Sequence, residues 1–388
     1  MLLLPLLVLI ALVLAPAASA ATPEIHAHRG GTVLNGKPHY AEESIRAYMR
    51  AARHGFVFEV DAKLTEDGVP VAIHDATVDR TTNCSGEVRT FTYVELSRCR
   101  TDVLGSPGSP LPTRPTSRTE PIPRIADVLE VARRTGADVN LEIKNVPTDP
   151  DYDSTPAFAN RVMDAVIASR LPRRQLIVQS FIPANLDVAR QRLPGVATSL
   201  LSLQSINEGF LQLAADNDYD LISPEWPVSA DYVRRAHDMA LDVAPFTLDT
   251  TADVRAARQA RVDALITDDP LMAARALGLR PPRFFTAFVF AQGRGLIATG
   301  DLLTPRGVSA RQGCRGTVTV RLLNANYRVT RTVGGRLNRN CEFFFRAGPR
   351  PARLARGSVT VRFNGNARVL PELEGPERVL PRMPDFSP

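Results

Sequence analysis

Residues 56–64, FVFEVDAKL, form an aromatic and β-branched run in which Glu59 and Asp61 stand two positions apart and therefore share one face of a strand. Thr65-Glu66-Asp67-Gly68 follows, then VPVAIHD at residues 69–75, with no room for a helix between the two runs. Asp-Gly between β runs reads as a tight hairpin. With Asp67 and Gly68 as its two loop residues, Asp61 lies opposite His74, and a carboxylate meets an imidazole. Outward from this point the chain keeps one rhythm. EIHAHR precedes the run, and DVNLEIK, LIVQSF, VATSLL, DLISPE, DVAPFTL and ALITDD come after it, which makes eight candidate strands from Ile25 to Leu279. Amphipathic stretches follow most of them, near Ser44–His54, Ile125–Thr135, Pro156–Ser169, Pro183–Leu193, Ile206–Ala215, Ala230–Ala240, Ala252–Gln259 and Pro270–Leu277. Alternating strands and helices imply a parallel sheet, and eight repeats imply an α/β protein with a closed TIM-type (β/α)8 barrel rather than an open doubly wound sheet. No Gly-x-Gly-x-x-Gly follows the first strand, which argues against a nucleotide-binding fold.

The chain of 388 residues is longer than such a barrel needs, and its composition changes after Leu279. Arg280-Pro281-Pro282 reads as a linker, and period-two stretches such as TVTVRLL, EFFFRA and SVTVRFNGNARVL follow, as a small all-β C-terminal domain requires. Residues 1–20, with an apolar run from Leu6 to Leu14 and Ala18-Ser19-Ala20, read as a signal peptide although no Lys or Arg precedes the run. The expected divisions are therefore 1–20 signal peptide, 21–280 barrel and 281–388 accessory β-domain, in a secreted or cell-surface protein. In an exported chain the four cysteines pair by proximity as Cys84–Cys99 and Cys314–Cys341, and no Cys-x-x-Cys suggests a metal site instead. Residues 105–121, rich in Pro, Gly and Ser, read as a surface excursion over the barrel mouth, tied at its base by the first disulfide.

Charge is divided unevenly. Residues 281–388 hold 18 arginines against six acids, while the whole chain carries only +6, so the barrel part is acidic. An acidic catalytic part speaks against nucleic acid as partner. The basic domain fits an anionic cell-wall polymer or lipid surface, although arginine also replaces lysine throughout this chain, whose lysines are Lys37, Lys63 and Lys144 alone.

Glu59 and Asp61 on one strand and Glu142 at the end of the next converge on the barrel mouth. Three such carboxylates repel one another unless a cation lies among them, and all-oxygen ligation favours Ca²⁺ or Mg²⁺ over Zn²⁺. His28 and Arg29 end the first strand, before Gly30-Gly31, and His74 arrives from the hairpin. Two histidines near a cation suit a general acid and a general base, and Arg29 and Lys144 suit a phosphate oxygen that gains charge. The remaining histidines, His26, His39, His54 and His237, need no function.

HAHRGG, then AEESIRAYMRAARHGFVFEVDAKLTEDGVPVAIHDATVDRTTNCSG, IPRIADVLEVA, VNLEIK, VQSF and VAPFTLDTTADVRAARQARVDALITDDP resemble, in this order, the glycerophosphodiester phosphodiesterase family. The resemblance spans residues 25–279. It implies a divalent cation held by Glu59, Asp61 and Glu142, His28 and His74 as the acid/base pair, and Arg29 and Lys144 on the phosphate of a small glycerophosphodiester. It also implies cleavage to glycerol 3-phosphate and an alcohol such as choline or ethanolamine. The chain departs from the family's Pro-Glu-Asn-Thr with Ala41-Glu42-Glu43-Ser44: Glu42 keeps the acid, Ser44 can cap the following helix, and Glu43 is expected to add negative charge near the mouth. Two other readings stand beside this one. The first is a phospholipase D-type enzyme acting on acylated lipids; the second is a catalytically silent surface-binding protein.

Overall fold

The computed structural model describes residues 22–101, 119–203, 207–324, 328–349 and 358–380. The expected leader and all but the end of the Pro-rich excursion lie outside these residues. Eight strands, β1 (Glu24–Ala27), β2 (Val57–Leu64), β3 (Val139–Ile143), β4 (Leu176–Ser180), β5 (Ala197–Ser202), β6 (Leu221–Pro224), β7 (Asp242–Val243) and β8 (Ala264–Thr267), run parallel in the order β7-β6-β5-β4-β3-β2-β1-β8. Backbone hydrogen bonds join the ends of this sheet: Asp263 N donates to Val243 O (3.0 Å), Ile266 N to Pro245 O (2.9 Å) and Leu248 N to Ile266 O (2.9 Å). A nearly closed TIM-type barrel results.

One helix follows each strand: α1 (Ile45–Arg53), α2 (Ile125–Thr135), α3 (Ala157–Ser169), α4 (Pro183–Arg192), α5 (Glu208–Asp216), α6 (Ala230–Asp238), α7 (Thr251–Ala260) and α8 (Pro270–Ala276). Their starts are written in the sequence. Ser44, Asn207, Ser229, Thr250 and Asp269 each accept a hydrogen bond from a backbone N–H of the first turn, which satisfies a donor the helix cannot. The apolar faces of these helices pack on the outer face of the strands in one continuous core that includes Tyr48, Phe58, Val60, Leu129, Leu141, Val178 and Ile222. Among the described residues no helix is long and apolar enough to cross a membrane.

The hairpin after β2 differs from its expected register. Lys63 pairs with Val71 and Ala62 with Ala72, and Ile73 N donates to Asp61 O at 3.1 Å. The loop therefore holds Glu66, Asp67 and Gly68, with Gly68 at φ 72°, and Asp61 faces Ile73 instead of His74. A three-residue loop closed by a left-handed glycine is the next favoured hairpin after the two-residue one. Asp67 stabilises it by accepting from Thr65 Oγ1 (2.6 Å) and Tyr93 N (2.9 Å). His74 reaches the mouth because it lies past the end of the short strand Pro70–Ala72, not through cross-strand pairing. The segment beyond it has a small core of its own, Val71, Ile73, Val78, Val88, Leu96 and Ile122, closed by the Cys84–Cys99 disulfide.

Residues after 283 form two antiparallel sheets. β9 (Phe284–Gln292), β10 (Gly295–Leu303) and β13 (Glu342–Pro349) make one; β12 (Val329–Arg336), β11 (Thr317–Leu323), β14 (Ser358–Phe363) and β15 (Glu372–Arg378) make the other. Phe285, Val289, Leu296 and Phe343 of the first sheet share a core with Val318, Val320, Val361 and Phe363 of the second, as in a sandwich, and the Cys314–Cys341 disulfide belongs to it. This part sits on the C-terminal ends of α1 and α2. Arg362 donates to Ala52 O (3.2 Å) and Thr135 O (3.3 Å), Arg321 donates to Thr135 O (3.2 Å), and Glu372 accepts from Arg53 and pairs with His54. Helix C-termini present unpaired carbonyls and partial negative charge, so guanidinium groups are apt partners there.

Burial, with the Arg321 charge beside it, pulls Arg362 down to about 10, so it stays charged at neutral pH. Arg362→Ala strips both carbonyls of a charged donor and is expected to cost about 2 kcal/mol. The checks are the urea midpoint and faster proteolysis near Pro281-Pro282; an unchanged midpoint would show that the arginine contributes nothing to the junction.

Candidate active site

The C-terminal ends of the strands open into a cavity of about 470 Å³. His28, Arg29, Glu59, His74, Glu142 and Lys144 line it, so six of the seven expected site residues share one space. The seventh, Asp61, is buried beside them, level with Glu142 in the β2–β3 register. Two neighbouring strands supply the three acids: Glu59 and Asp61 come from β2 and Glu142 from β3.

One carboxylate oxygen from each of Glu59, Asp61 and Glu142 can be chosen so that all lie within 4.8 Å of one another, and all three residues are buried. Burial, with Asp61 and other acids close by, pushes the Glu59 carboxyl up to about 7 and that of Glu142 up to about 8. Asp61 is held well below the usual range, because Lys144, His74 and Arg29 outweigh its burial. Asp61 Oδ2 and Glu142 Oε1 accept no hydrogen bond, although Arg29 Nε and Lys144 Nζ lie 3.4 and 3.1 Å from them. Buried acids with oxygens left over are costly by themselves, and an all-oxygen set of this kind fits a hard divalent cation. No Cys or His belongs to the set.

Around the acids the residues hold one another in place. Arg29 N donates to Glu59 Oε2 at 2.9 Å, which requires the turn at His28–Gly30, where Arg29 has φ 51°. A Cβ at Gly30, φ 89°, would come within 2.6 Å of Ala47 Cβ, so only glycine fits the turn. Gln179 donates to Glu59 Oε1 at 3.0 Å, and Asn140 donates to Gln179 at 2.8 Å from below.

Each candidate histidine has a carboxylate on Nδ1. Asp268 is 2.7 Å from His28, and Asp75 is 2.6 Å from His74. Such a partner fixes the ring and leaves Nε2 for the cavity that both histidines line. The two rings differ in charge preference. Burial and Arg29 push His28 down, but Asp268 outweighs them and its pKa ends above the ordinary value. Burial dominates at His74 and leaves it below the ordinary value. Asp75 is shared with Arg80, at 2.6 Å, and Arg80 in turn holds Glu42 through two bonds of 2.8 and 2.7 Å. Glu42 also accepts from Arg29 at 3.3 Å.

Sequence reading gave no role to Asp268, Asp75, Arg80 or Gln179, although all four lie in stretches that carry the family resemblance. Asp268 is the first of the two acids that end ALITDD, the run whose strand neighbours β1, and strand-end acids on either side of His28 were the available signal. The expectation for Glu43 is corrected. It lies buried behind the acids rather than charged at the mouth, with its carboxyl accepting from the Tyr48 hydroxyl and from Asp61 N (3.1 Å). Burial and the repulsion of Asp61 and Glu59 raise its pKa well above the usual range and favour its neutral form. The four remaining histidines are structural: His26 lies between Glu24 and Asn140, His39 stacks edge-on against Tyr40, His54 pairs with Glu372 and His237 with Asp263. Phe181, Leu201, Leu203 and Phe246 add apolar surface to the cavity lining, with Lys144 Nζ 5.7 Å from the centre of the Phe181 ring.

Comparison with known proteins points one way. The model of the glycerophosphoryl diester phosphodiesterase family matches residues 28–272. The chain is 28% identical over 246 residues to a glycerophosphodiester phosphodiesterase of Caldanaerobacter subterraneus subsp. tengcongensis, covering 63% of this chain and 93% of that one. It is 27% identical over 251 residues to one of Bacillus altitudinis, covering 64% and 95%. The fold is that of the crystal structure of a putative glycerophosphoryl diester phosphodiesterase from Silicibacter pomeroyi, with TM-score 0.56, 22% identity, and coverage of 66% of this chain and 92% of that one. It is also that of an Oleispira antarctica phosphodiesterase in complex with its product sn-glycerol-3-phosphate, with TM-score 0.54, 20% identity, and coverage of 66% and 97%.

Proposed function

Because the chain belongs to the glycerophosphoryl diester phosphodiesterase family, and is thus a phosphoric diester hydrolase, we propose that it hydrolyses glycerophosphodiesters to glycerol 3-phosphate and an alcohol at the mouth of its barrel. The observation that carries this reading is the placement of two Asp-paired histidines, a cation-ready set of three acids, and Arg29 and Lys144 around one cavity.

Glu59, Asp61 and Glu142 would hold one divalent cation, Ca²⁺ or Mg²⁺, which when bound polarises a phosphoryl oxygen and lowers the pKa of a nearby hydroxyl. The chain's own groups do the rest. Lys144, ion-paired to Asp61 and Glu142, and Arg29, paired to Glu42 and Asp61, stay cationic and draw the phosphate into the cavity. His74, whose pKa is low, accepts the proton of the attacking hydroxyl, either water or the glycerol hydroxyl beside the phosphate. His28 keeps its proton through Asp268 and delivers it to the departing alkoxide. When the glycerol hydroxyl attacks, a cyclic glycerophosphate forms. Water then opens it to glycerol 3-phosphate as His28, having given up its proton, takes one from the water and His74 returns one to the ring oxygen. The apolar part of the lining leaves room for the alcohol and holds water back.

The pH sign follows from these roles. An acid works below its pKa, and Asp268 raises that of His28, so Asp268→Asn should lower the alkaline limb of the kcat profile toward acid pH by about one unit and leave the acid limb in place. A limb that does not move would remove His28 from the acid role. Product identity tests the reaction itself: phosphorus NMR of a glycerophosphocholine digest should show glycerol 3-phosphate, whereas choline phosphate would contradict the proposal. The apolar part of the lining favours a second reading, diesters that still carry an acyl chain, and lysophosphatidylcholine turned over faster than glycerophosphocholine would support it. Two disulfides support an extracytoplasmic site of action. The basic sandwich is the element suited to an anionic surface.

A further inference from the structure

We propose that the C-terminal sandwich carries a groove for a linear phosphodiester polyanion without bases, such as a glycerophosphate polymer, bound by Arg311, Arg315, Arg336 and Arg339. A cavity of about 820 Å³ opens there, lined on one side by residues around Cys314 and on the other by the end of β12 and the turn after it. The Cys314–Cys341 disulfide lies across this region and fixes the two lips relative to one another. All four arginines line the groove, and no acidic side chain does. None of the four guanidinium groups has a hydrogen-bond or ion-pair partner among the described residues. In the barrel, by contrast, Arg80, Arg192 and Arg234 are each paired to an acid. Four unpaired like charges around one concavity repel one another, and an anion that enters relieves them.

The lining selects among polyanions. It contains no aromatic residue on which a base could stack, which sets nucleic acid aside. It is concave, and Ala310, Cys314 and Leu337 are its apolar members, whereas adsorption to a bilayer needs a convex apolar face beside the charge. A flexible chain of phosphodiesters fits both the shape and the sign. This inference rests on the proposed phosphodiesterase activity in one respect: it makes such a polymer the substrate class. The barrel part is acidic and the tail basic, so a polyanion is repelled by the one and held by the other. Docking on the tail raises the local concentration of diester at the mouth. The sandwich sits at the barrel end opposite the carboxylates, so a tethered enzyme turns its mouth away from the anchor and toward neighbouring chain.

The test is anisotropy of a fluorescent poly(glycerol phosphate) chain with the full-length protein, carrying Glu142→Gln so that the probe survives. Changing Arg311, Arg315, Arg336 and Arg339 together to serine should weaken binding at least about 10-fold, and the double-logarithmic salt slope should fall from roughly 3 to below about 1. Thermal melting reports folding, and Arg339→Glu alone, which should weaken binding several-fold, serves if the quadruple variant does not fold. Affinity unchanged within twofold overturns the proposal. So does equal binding by an oligothymidylate of the same charge, by phosphatidylglycerol vesicles or by inorganic phosphate at matched phosphate concentration. Glycerophosphocholine turnover by the parent protein is scored separately, so failure of the proposed reaction is not confused with failure of the groove.

Discussion

His74→Ala lowers kcat on glycerophosphocholine by about 10²–10⁴-fold and leaves the fold intact. The expectation follows from how the ring is held. Its Nδ1 lies 2.6 Å from Asp75, Asp75 is fixed by Arg80, and Arg80 is fixed by Glu42, so Nε2 has a set position at the cavity wall. Burial lowers the pKa of the ring and keeps it neutral at the pH where a base is needed. The side chain is not part of the barrel core, and its removal opens space only toward the cavity. KM should change less than kcat, because Arg29 and Lys144 remain to bind phosphate. Asp75→Asn, which keeps the ring but loosens its orientation, should fall between the variant and the parent. If His74→Ala kept more than a tenth of parental kcat, the residue would have no part in proton transfer.

Glu142→Gln weakens divalent cation binding by at least about 100-fold. Loss of an outer partner of a metal ligand already costs 10–100-fold, and here one of only three carboxylates is lost. Titration calorimetry with Ca²⁺ and with Mg²⁺ reads this without reference to turnover. Thermal melting reads it a second way: a cation at 100 times its Kd stabilises the parent by about 2.7 kcal/mol, and the variant should show almost none of this. The parent's affinity should also depend on pH with a defined sign. Glu59 and Glu142, pushed up to about 7 and about 8, hold protons in the cation-free protein and must release them to bind. Affinity therefore rises from pH 6 to pH 8, with protons released on binding. A pH-independent affinity, or equal binding by Glu142→Gln, would mean that these acids do not form the cation site.

The barrel was legible because each strand and each helix announces itself locally. β-branched runs alternate with amphipathic stretches, and capping residues such as Ser44, Thr250 and Asp269 begin the helices. The grouping of the three acids was legible because strand periodicity places Glu59 and Asp61 on one face, and the neighbouring strand brings Glu142 level with Asp61. What escaped depends on contacts between distant segments. His28 and Asp268 are 240 positions apart and meet only because β8 closes beside β1. The hairpin register turned on one residue of loop length, which Asp-Gly does not specify by itself. Glu43 looks like a surface charge in sequence, and the preference for its neutral form follows only from the burial that Tyr48 and β2 impose on it. Arg362 and Arg321 belong to a β pattern that gives no hint of the helix ends they cover.

The central claim is phosphodiester hydrolysis at a cation held by Glu59, Asp61 and Glu142. It is tested most directly by release of glycerol 3-phosphate from glycerophosphocholine by protein stripped with chelator, then resupplied with Ca²⁺ or Mg²⁺, beside Glu59→Ala. The account predicts release that stops with chelator, returns with one or both cations, and stays absent in Glu59→Ala. Release that persists in chelator, or that survives in Glu59→Ala, would contradict it.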